Sequence, residues 1–238
     1  MTPALDWDRI DLVVFDVDGT LYDAQRLRRA MLWRLLHETW RARSVRTLRV
    51  LRTFRAVREV LGAQECANFE VLQYTHTAAR VGCDAQAVRA LVAQWMEREP
   101  LPLLRACRHP QVEAVFAGLR AAGKPIGVLS DYPAQEKLRA LELQAQVVVS
   151  ATDADIARLK PHPRGLLAIV ERAGVSAART LMIGDRVDRD AASAQRAGAQ
   201  ALMISRKQHP GVMCFARYND AVFVPLVDRL PVRTRATV

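Results

Sequence analysis

No stretch of this sequence approaches the roughly 18 to 20 consecutive apolar residues needed to span a bilayer, although half of its 238 residues are hydrophobic. The first residues, Met1 to Asp11, carry acids rather than the basic and then apolar pattern of a secretory leader, so a soluble, cytoplasmic protein is expected. Cysteine is scarce. The four present (Cys66, Cys83, Cys107, Cys214) are scattered without a CxxC pair, and the histidines form no cluster that could complete a zinc site. A disulfide framework and a structural zinc site are therefore excluded, leaving reduced, mostly buried thiols as the expectation. Lysine is scarce too, with four against 31 arginines. Internal repeats and low-complexity tracts are absent, which sets aside solenoids and disordered linkers.

What is abundant is arginine, and it is placed unevenly. Between Ala24 and Arg58 lie eleven arginines, no lysine and one acid, Glu38, so this segment carries the whole net charge of +10 while the remainder balances. Two readings compete. A chain-wide preference for arginine over lysine accounts for the residue type, but not for the near absence of compensating acids in this segment alone. A basic surface for an anionic ligand accounts for both.

The chain begins with a short apolar run, Leu12 to Phe15, that meets Asp16-Val17-Asp18-Gly19-Thr20, a pattern for a buried strand ending in a polar loop. From Tyr22 to Pro100 no proline interrupts a sequence with helical spacing. Within it Val50, Leu51, Phe54, Val57 and Leu61 fall in a sector of about 120° at roughly 100° per residue, opposite Arg46, Arg49, Arg52 and Arg55. In the preceding stretch Leu27, Met31, Trp33, Leu36 and Trp40 are spread around the axis, which predicts a helix covered on more than one side. Another helix is expected from an Asp84 N-cap to Glu99, stopped by Pro100 and Pro102. After Pro110 helical and strand patterns alternate. Strands are expected at Ile126 to Leu129, Val147 to Val149, Thr180 to Ile183 and Ala201 to Ile204, with helices between them closed by Gly123, Gly174 and Gly198. That alternation implies an α/β fold, a doubly wound parallel sheet sandwiched by helices, with ligands bound beyond the carboxyl ends of the strands. Pro231 to Val238 is expected to fray.

Polar residues follow three of these strands: Asp16 with Asp18, Ser130 with Asp131, and Asp185 with Asp188 and Asp190. A fourth connection supplies Lys160. Singly each has an ordinary explanation: a turn for the paired acids, a helix cap for the serine, a solvated lysine. The set, in this order, resembles the four motifs of the haloacid dehalogenase-like superfamily, whose members are mostly phosphatases. The resemblance implies a Rossmann-like core, residues 1–23 and 105–238, and a helical cap, residues 24–104, inserted between the first two motifs.

By that resemblance Asp16 is the nucleophile of a phosphate monoester hydrolase, forming an aspartyl-phosphate, and Asp18 protonates the leaving oxygen and then activates water. An acid at Asp18 argues for phosphoryl transfer, because relatives that cleave carbon–halogen bonds lack one. Attack of a carboxylate on a phosphate needs a cation between them, and the resemblance supplies magnesium, held by Asp16, the Val17 carbonyl, Asp185 and, through water, Asp190, with Asp18 indirect. Thr20, Ser130, Asp131 and Lys160 are assigned to the phosphate. Lys160 also offsets the negative charge on Asp16. Asp131 departs from the asparagine frequent in the family, and Asp188 is open between a metal role and a helix cap. A small anionic phosphorylated metabolite is the expected partner, with phosphoglycolate-like acids, sugar phosphates and nucleotides undistinguished. A mutase of the same superfamily, and a vestigial core whose basic helices bind nucleic acid or an acidic partner, are the alternatives. His37, His76, His109, His162 and His209 share no spacing and are read as surface or core residues.

Overall fold

The structure, a computed structural model, describes residues 5–228, so the fraying expected for Pro231 to Val238 lies outside the described residues. Six parallel strands form one sheet in the order β3-β2-β1-β4-β5-β6: β1 (Leu12–Phe15), β2 (Ile126–Ser130), β3 (Val147–Ser150), β4 (Thr180–Gly184), β5 (Gln200–Ile204) and β6 (Met213–Phe215). The central strands β1, β2 and β4 are buried at every position, as near-continuous apolar runs require. Alternation across the pleat divides the core in two. Val13 and Phe15 join one apolar layer with Phe116 and Leu119, and Leu12 and Val14 join another with Ile169 and Met182. The helices providing those layers are α6 (Val112–Ala121) and α8 (Arg164–Ala173), while α7 (Gln135–Leu141) and α9 (Ala192–Ala197) complete the crossovers. This is the α/β, doubly wound parallel sheet that the alternation predicts.

Five helices are inserted between β1 and α6: α1 (Ala24–Ala42), α2 (Arg46–Ala63), α3 (Phe69–Val81), α4 (Ala85–Val92) and α5 (Leu101–Cys107). Asp23 starts α1 by accepting the amides of Gln25 and Arg26, and Asp84 starts α4 in the same way. The apolar face of α2 is buried as expected, at Val50, Leu51, Phe54, Val57 and Leu61.

Three expectations change. First, α1 is not covered on several sides: Leu27 and Met31 are buried, but Trp33 and Trp40 are 75% and 79% exposed. Its main neighbours among the described residues are α2 and α5. Second, the helix beginning at Ala85 widens into a π-helical stretch, Ala93–Arg98, and Pro102 lies in the first turn of α5 rather than ending the block. Proline is tolerated there because that turn's amides lack partners in any case. Third, β6 was not visible in the pattern, since three residues are too few for a period to show. Of the four cysteines, all free, Cys107 alone is fully buried.

Candidate active site

Three strand ends meet at one edge of the sheet, where β1, β2 and β4 lie side by side. Leaving β1, the chain turns sharply at Gly19, whose φ is +100°. Only glycine adopts this at little cost. It also has no room for a side chain, because a Cβ there would fall 2.3 Å from Asp185 Oδ2. The turn buries Asp16 and presents it to Lys160, whose Nζ donates to Asp16 Oδ1 and to Asp190 Oδ1, each at 2.6 Å. Thr20 Oγ donates to the other oxygen of Asp16 at 2.9 Å.

Oxygens of Asp16, Asp185 and Asp190 lie within 4.8 Å of one another. Asp190 is seated by the amides of Asp185 and Arg186, at 3.1 and 3.0 Å. Gly184 makes that approach possible, since a Cβ at that position would meet the Asp190 carboxyl at 2.4 Å. One ammonium thus pairs with two of the three clustered carboxylates, an arrangement short of positive charge. The titration behaviour agrees. Burial first, and then the neighbouring acids, push Asp16 well above the usual carboxylate range against the pull of Lys160, and burial together with Asp190 raises Asp185 to about 6. Lys160 is opposed by its own burial, but Asp16 and Asp190 outweigh it and hold the ammonium charged.

Asp18 is held differently. Lys137, from α7, donates to both of its carboxylate oxygens, at 2.6 and 2.7 Å, and the Tyr22 hydroxyl donates to Oδ1. Burial raises this carboxyl, but the charge and hydrogen bond of Lys137 and the Tyr22 bond prevail and leave it below the ordinary value. Asp16 and Asp18, two residues apart, therefore shift in opposite directions.

The remaining predicted residues are distributed as follows. The Val17 carbonyl accepts the amides of Thr20 and Leu21 within the turn. Thr20 is fully buried and its hydroxyl braces Asp16. Ser130 is also fully buried, its Oγ accepting the Tyr132 amide at 3.2 Å. The Asp131 carboxyl accepts the Lys160 amide at 3.1 Å, a duty asparagine could equally perform. Asp188 pairs with Arg186 at 2.8 Å and makes no helix-cap bond. Of the histidines, His109 comes nearest, its Nε2 being 3.3 Å from the Gly19 carbonyl.

Four contributors were not legible in the sequence. Lys137 is 119 residues from Asp18, and nothing in local spacing announces it. Tyr22, four residues from Asp18, is the one with a faint signal. Arg58 is buried on α2, donates to the Asp131 carbonyl and stacks 3.9 Å from the Tyr132 ring centroid. Arg189, also buried, donates to the Lys160 carbonyl at 2.6 Å and to Glu59 on α2 at 2.9 Å. Through Arg58 and Glu59 the inserted helices grip the sheet edge. Between them opens a cavity of about 680 Å³, bounded by the acids, Lys137 and Lys160 on one side and by α1, α2 and α5 on the other. A second hollow of about 480 Å³ beside α8 contains none of these acids.

A model of a hydrolase family, described as haloacid dehalogenase-like hydrolase, matches residues 10–198. The chain belongs to that family. Among curated relatives, the phosphoglycolate phosphatase of Yersinia pestis is 30% identical over 125 residues, which are 51% of this chain and 53% of that protein. The chain thus spans about half the length of the curated relatives it matches. Among solved structures, the magnesium-bound HAD hydrolase YfnB of Bacillus subtilis superposes with a TM-score of 0.66 at 16% identity, covering 92% of this chain and 99% of that one. A HAD phosphatase of Thermococcus onnurineus gives 0.60 at 20% identity, over 86% and 91% of the two chains. These likenesses bear out the fold. No helix among the described residues is long and apolar enough to cross a membrane.

Proposed function

We propose that this hydrolase is a magnesium-dependent phosphatase acting on a phosphate monoester through an aspartyl-phosphate on Asp16. The observation that carries the reading is the trio Asp16, Asp185 and Asp190, drawn within 4.8 Å of one another around a single ammonium. An all-oxygen donor set short of positive charge suits a hard divalent cation. Magnesium bound there supplies the charge that lets a carboxylate approach a phosphate dianion. That relatives covering half of the chain are phosphoglycolate phosphatases, and that YfnB is magnesium-bound, supports the same assignment.

The chain's own residues then perform the chemistry. Lys160 offsets the charge on Asp16 and fixes its orientation, with Thr20 holding the second oxygen. An Asp16 oxygen forms a bond to phosphorus as the ester P–O bond breaks, and the electron pair leaves on the alcohol oxygen, which takes a proton from Asp18. Asp18 is ionised in the resting site, and a dianionic phosphate arriving beside it pushes its carboxyl back up toward the protonated form. In the second half Asp18 accepts a proton from water as that water attacks phosphorus and frees Asp16. The sum is ester plus water giving alcohol plus phosphate. Residues 24–104 act as the cap over this site, excluding water while the charges interact.

The test is phosphate release from a panel of phosphate esters with magnesium or with EDTA, comparing wild type with Asp16→Asn. Release that requires magnesium and disappears in Asp16→Asn supports the reading. Full activity in the variant, or no hydrolysis of any ester by folded, magnesium-loaded protein, refutes it. Transfer of phosphate within a sugar phosphate without net release would point to a mutase instead.

A further inference from the structure

The acids, Lys137 and Lys160 gather at one end of the cavity, and beyond them the lining is mostly apolar, with Arg28, Arg52, Arg55 and Glu97 the charged side chains among it. α1 leaves the site at Ala24 and stacks Leu27, Met31 and Leu35 along the cavity wall at helical spacing. At 1.5 Å per residue that wall extends about 16 Å from its start. α2 runs beside it with its polar end toward the acids, where Arg58 and Glu59 lie, and its apolar lining residues Leu48 and Leu51 two to three turns farther away. Trp95 and Leu104 close the far side and are buried. The volume of about 680 Å³ is within the range of roughly 300–1,000 Å³ that encloses a ligand of many atoms. A compact acid such as phosphoglycolate would occupy only its charged end.

From this we infer that the phosphate ester taken by the site is an amphiphile, with an apolar alcohol several carbons long lying between α1 and α2 while its phosphate meets Asp16. The inference rests on the phosphatase reading and deepens it. A sugar or nucleoside placed along the same wall would leave the hydroxyls that face Leu27, Met31 and Leu35 without partners, the hydrogen-bonding groups of Arg28, Arg52, Arg55 and Glu97 lying elsewhere on the lining. An alkyl group loses nothing there and removes apolar surface from water on both sides. Arg28, Arg52 and Arg55 border the space and are exposed, so they draw the anionic head in without interrupting the apolar wall.

The experiment is a chain-length series. Phosphate release is measured with magnesium for straight-chain alkyl phosphates from methyl to decyl, below their micelle-forming concentrations, beside phosphoglycolate and glucose 6-phosphate. The expected result is a kcat/KM that rises about fourfold per methylene over the early members and then levels off, with the best alkyl ester at least tenfold above phosphoglycolate and glucose 6-phosphate. In Leu35→Gln and, separately, Leu48→Gln, the ratio of decyl to methyl phosphate kcat/KM should fall at least tenfold, with folding checked by circular dichroism. A flat series, or preference for phosphoglycolate or glucose 6-phosphate over every alkyl ester, overturns this inference and leaves the phosphatase reading standing. No release from any ester sinks both.

Discussion

Lys137 holds both oxygens of Asp18, and it is the charge that separates the behaviour of this acid from that of Asp16 two residues away. Removing it as Lys137→Met takes away the strongest influence that lowers the Asp18 carboxyl, so the carboxyl should rise. The first step needs Asp18 protonated, so the alkaline limb of the kcat/KM–pH profile should then move to higher pH. An unmoved limb in a folded, active variant would show that Lys137 is only a packing residue. Gly19 offers a test of the metal side. Gly19→Ala sets a Cβ 2.3 Å from Asp185 Oδ2 on a backbone with φ +100°, costing about 1–3 kcal/mol of strain and driving Asp185 from its place. Wild type is expected to gain in Tm when magnesium is added, and the variant to gain nothing while keeping its far-ultraviolet spectrum. At this scale the residues that follow strands could be read from the sequence, because the topology delivers Asp16, Asp131 and Asp185 to one edge. Lys137, Arg58 and Arg189 could not, because each meets its partner from a different helix across a long sequence separation.

Among the elements, α2 holds the inserted block to the sheet. Its Glu59 takes Arg186 at 2.7 Å and Arg189 at 2.9 Å, and Glu65, just after the helix, takes Arg196 at 2.5 Å. Arg186 and Arg196 are well exposed and contribute little, but Arg189 is buried and already committed to the Lys160 carbonyl. Glu59→Ala leaves that guanidinium without its carboxylate. The expected cost is about 1–2 kcal/mol, a fall in Tm of about 2–8 °C, with KM rising more than kcat falls because the helices close less firmly. An unchanged Tm and KM would show that the contact is superficial. Helix α2 itself was plain in the sequence, its apolar and arginine faces segregated by the helical period. The sides of α1 were not, because apolar spacing tells which residues seek cover and not whether a neighbour provides it: Trp33 and Trp40 remain in the open. The π-helical stretch at Ala93–Arg98 left no trace in the pattern either, since it alters the hydrogen-bond register without changing which residues are apolar.

For the whole molecule, the acid trio links stability to pH and to the cation. Asp185 is raised from its ordinary 3.8 to about 6, so between those values the metal-free folded chain holds a proton that the unfolded chain has released. The corresponding stability is present below pH 3.8 and is lost as pH rises through about 6. Asp16 shifts in the same direction. A bound cation removes the repulsion. The rise in Tm that magnesium produces should therefore be small at pH 5 and larger at pH 7.5 in thermal-shift measurements. The reverse order would mean that the trio is not where the ion binds. The charge distribution was the most legible property at this scale: the arginine excess between Ala24 and Arg58 falls on α1 and α2, and four of its members border the cavity. Which end of that cavity is apolar could not be read, since it depends on how α1 and α2 lie over the acids.

Strands β1 and β4 are neighbours, with Phe15 in register with Ile183, so Asp16 and Asp185 depart from adjacent positions on the sheet edge. The interstrand distance of about 4.8 Å sets how far apart the two backbones leave the sheet, and Lys160, bound to Asp16, helps set where that carboxylate ends. The backbone ladder acts as a ruler for the two strand ends, calibrated before any loop is added. Such a gauge is indifferent to what is inserted between Asp23 and Arg105. Descendants of this chain could exchange the entire helical block while passing on the same pair of strand ends with Asp16 and Asp185 just beyond them.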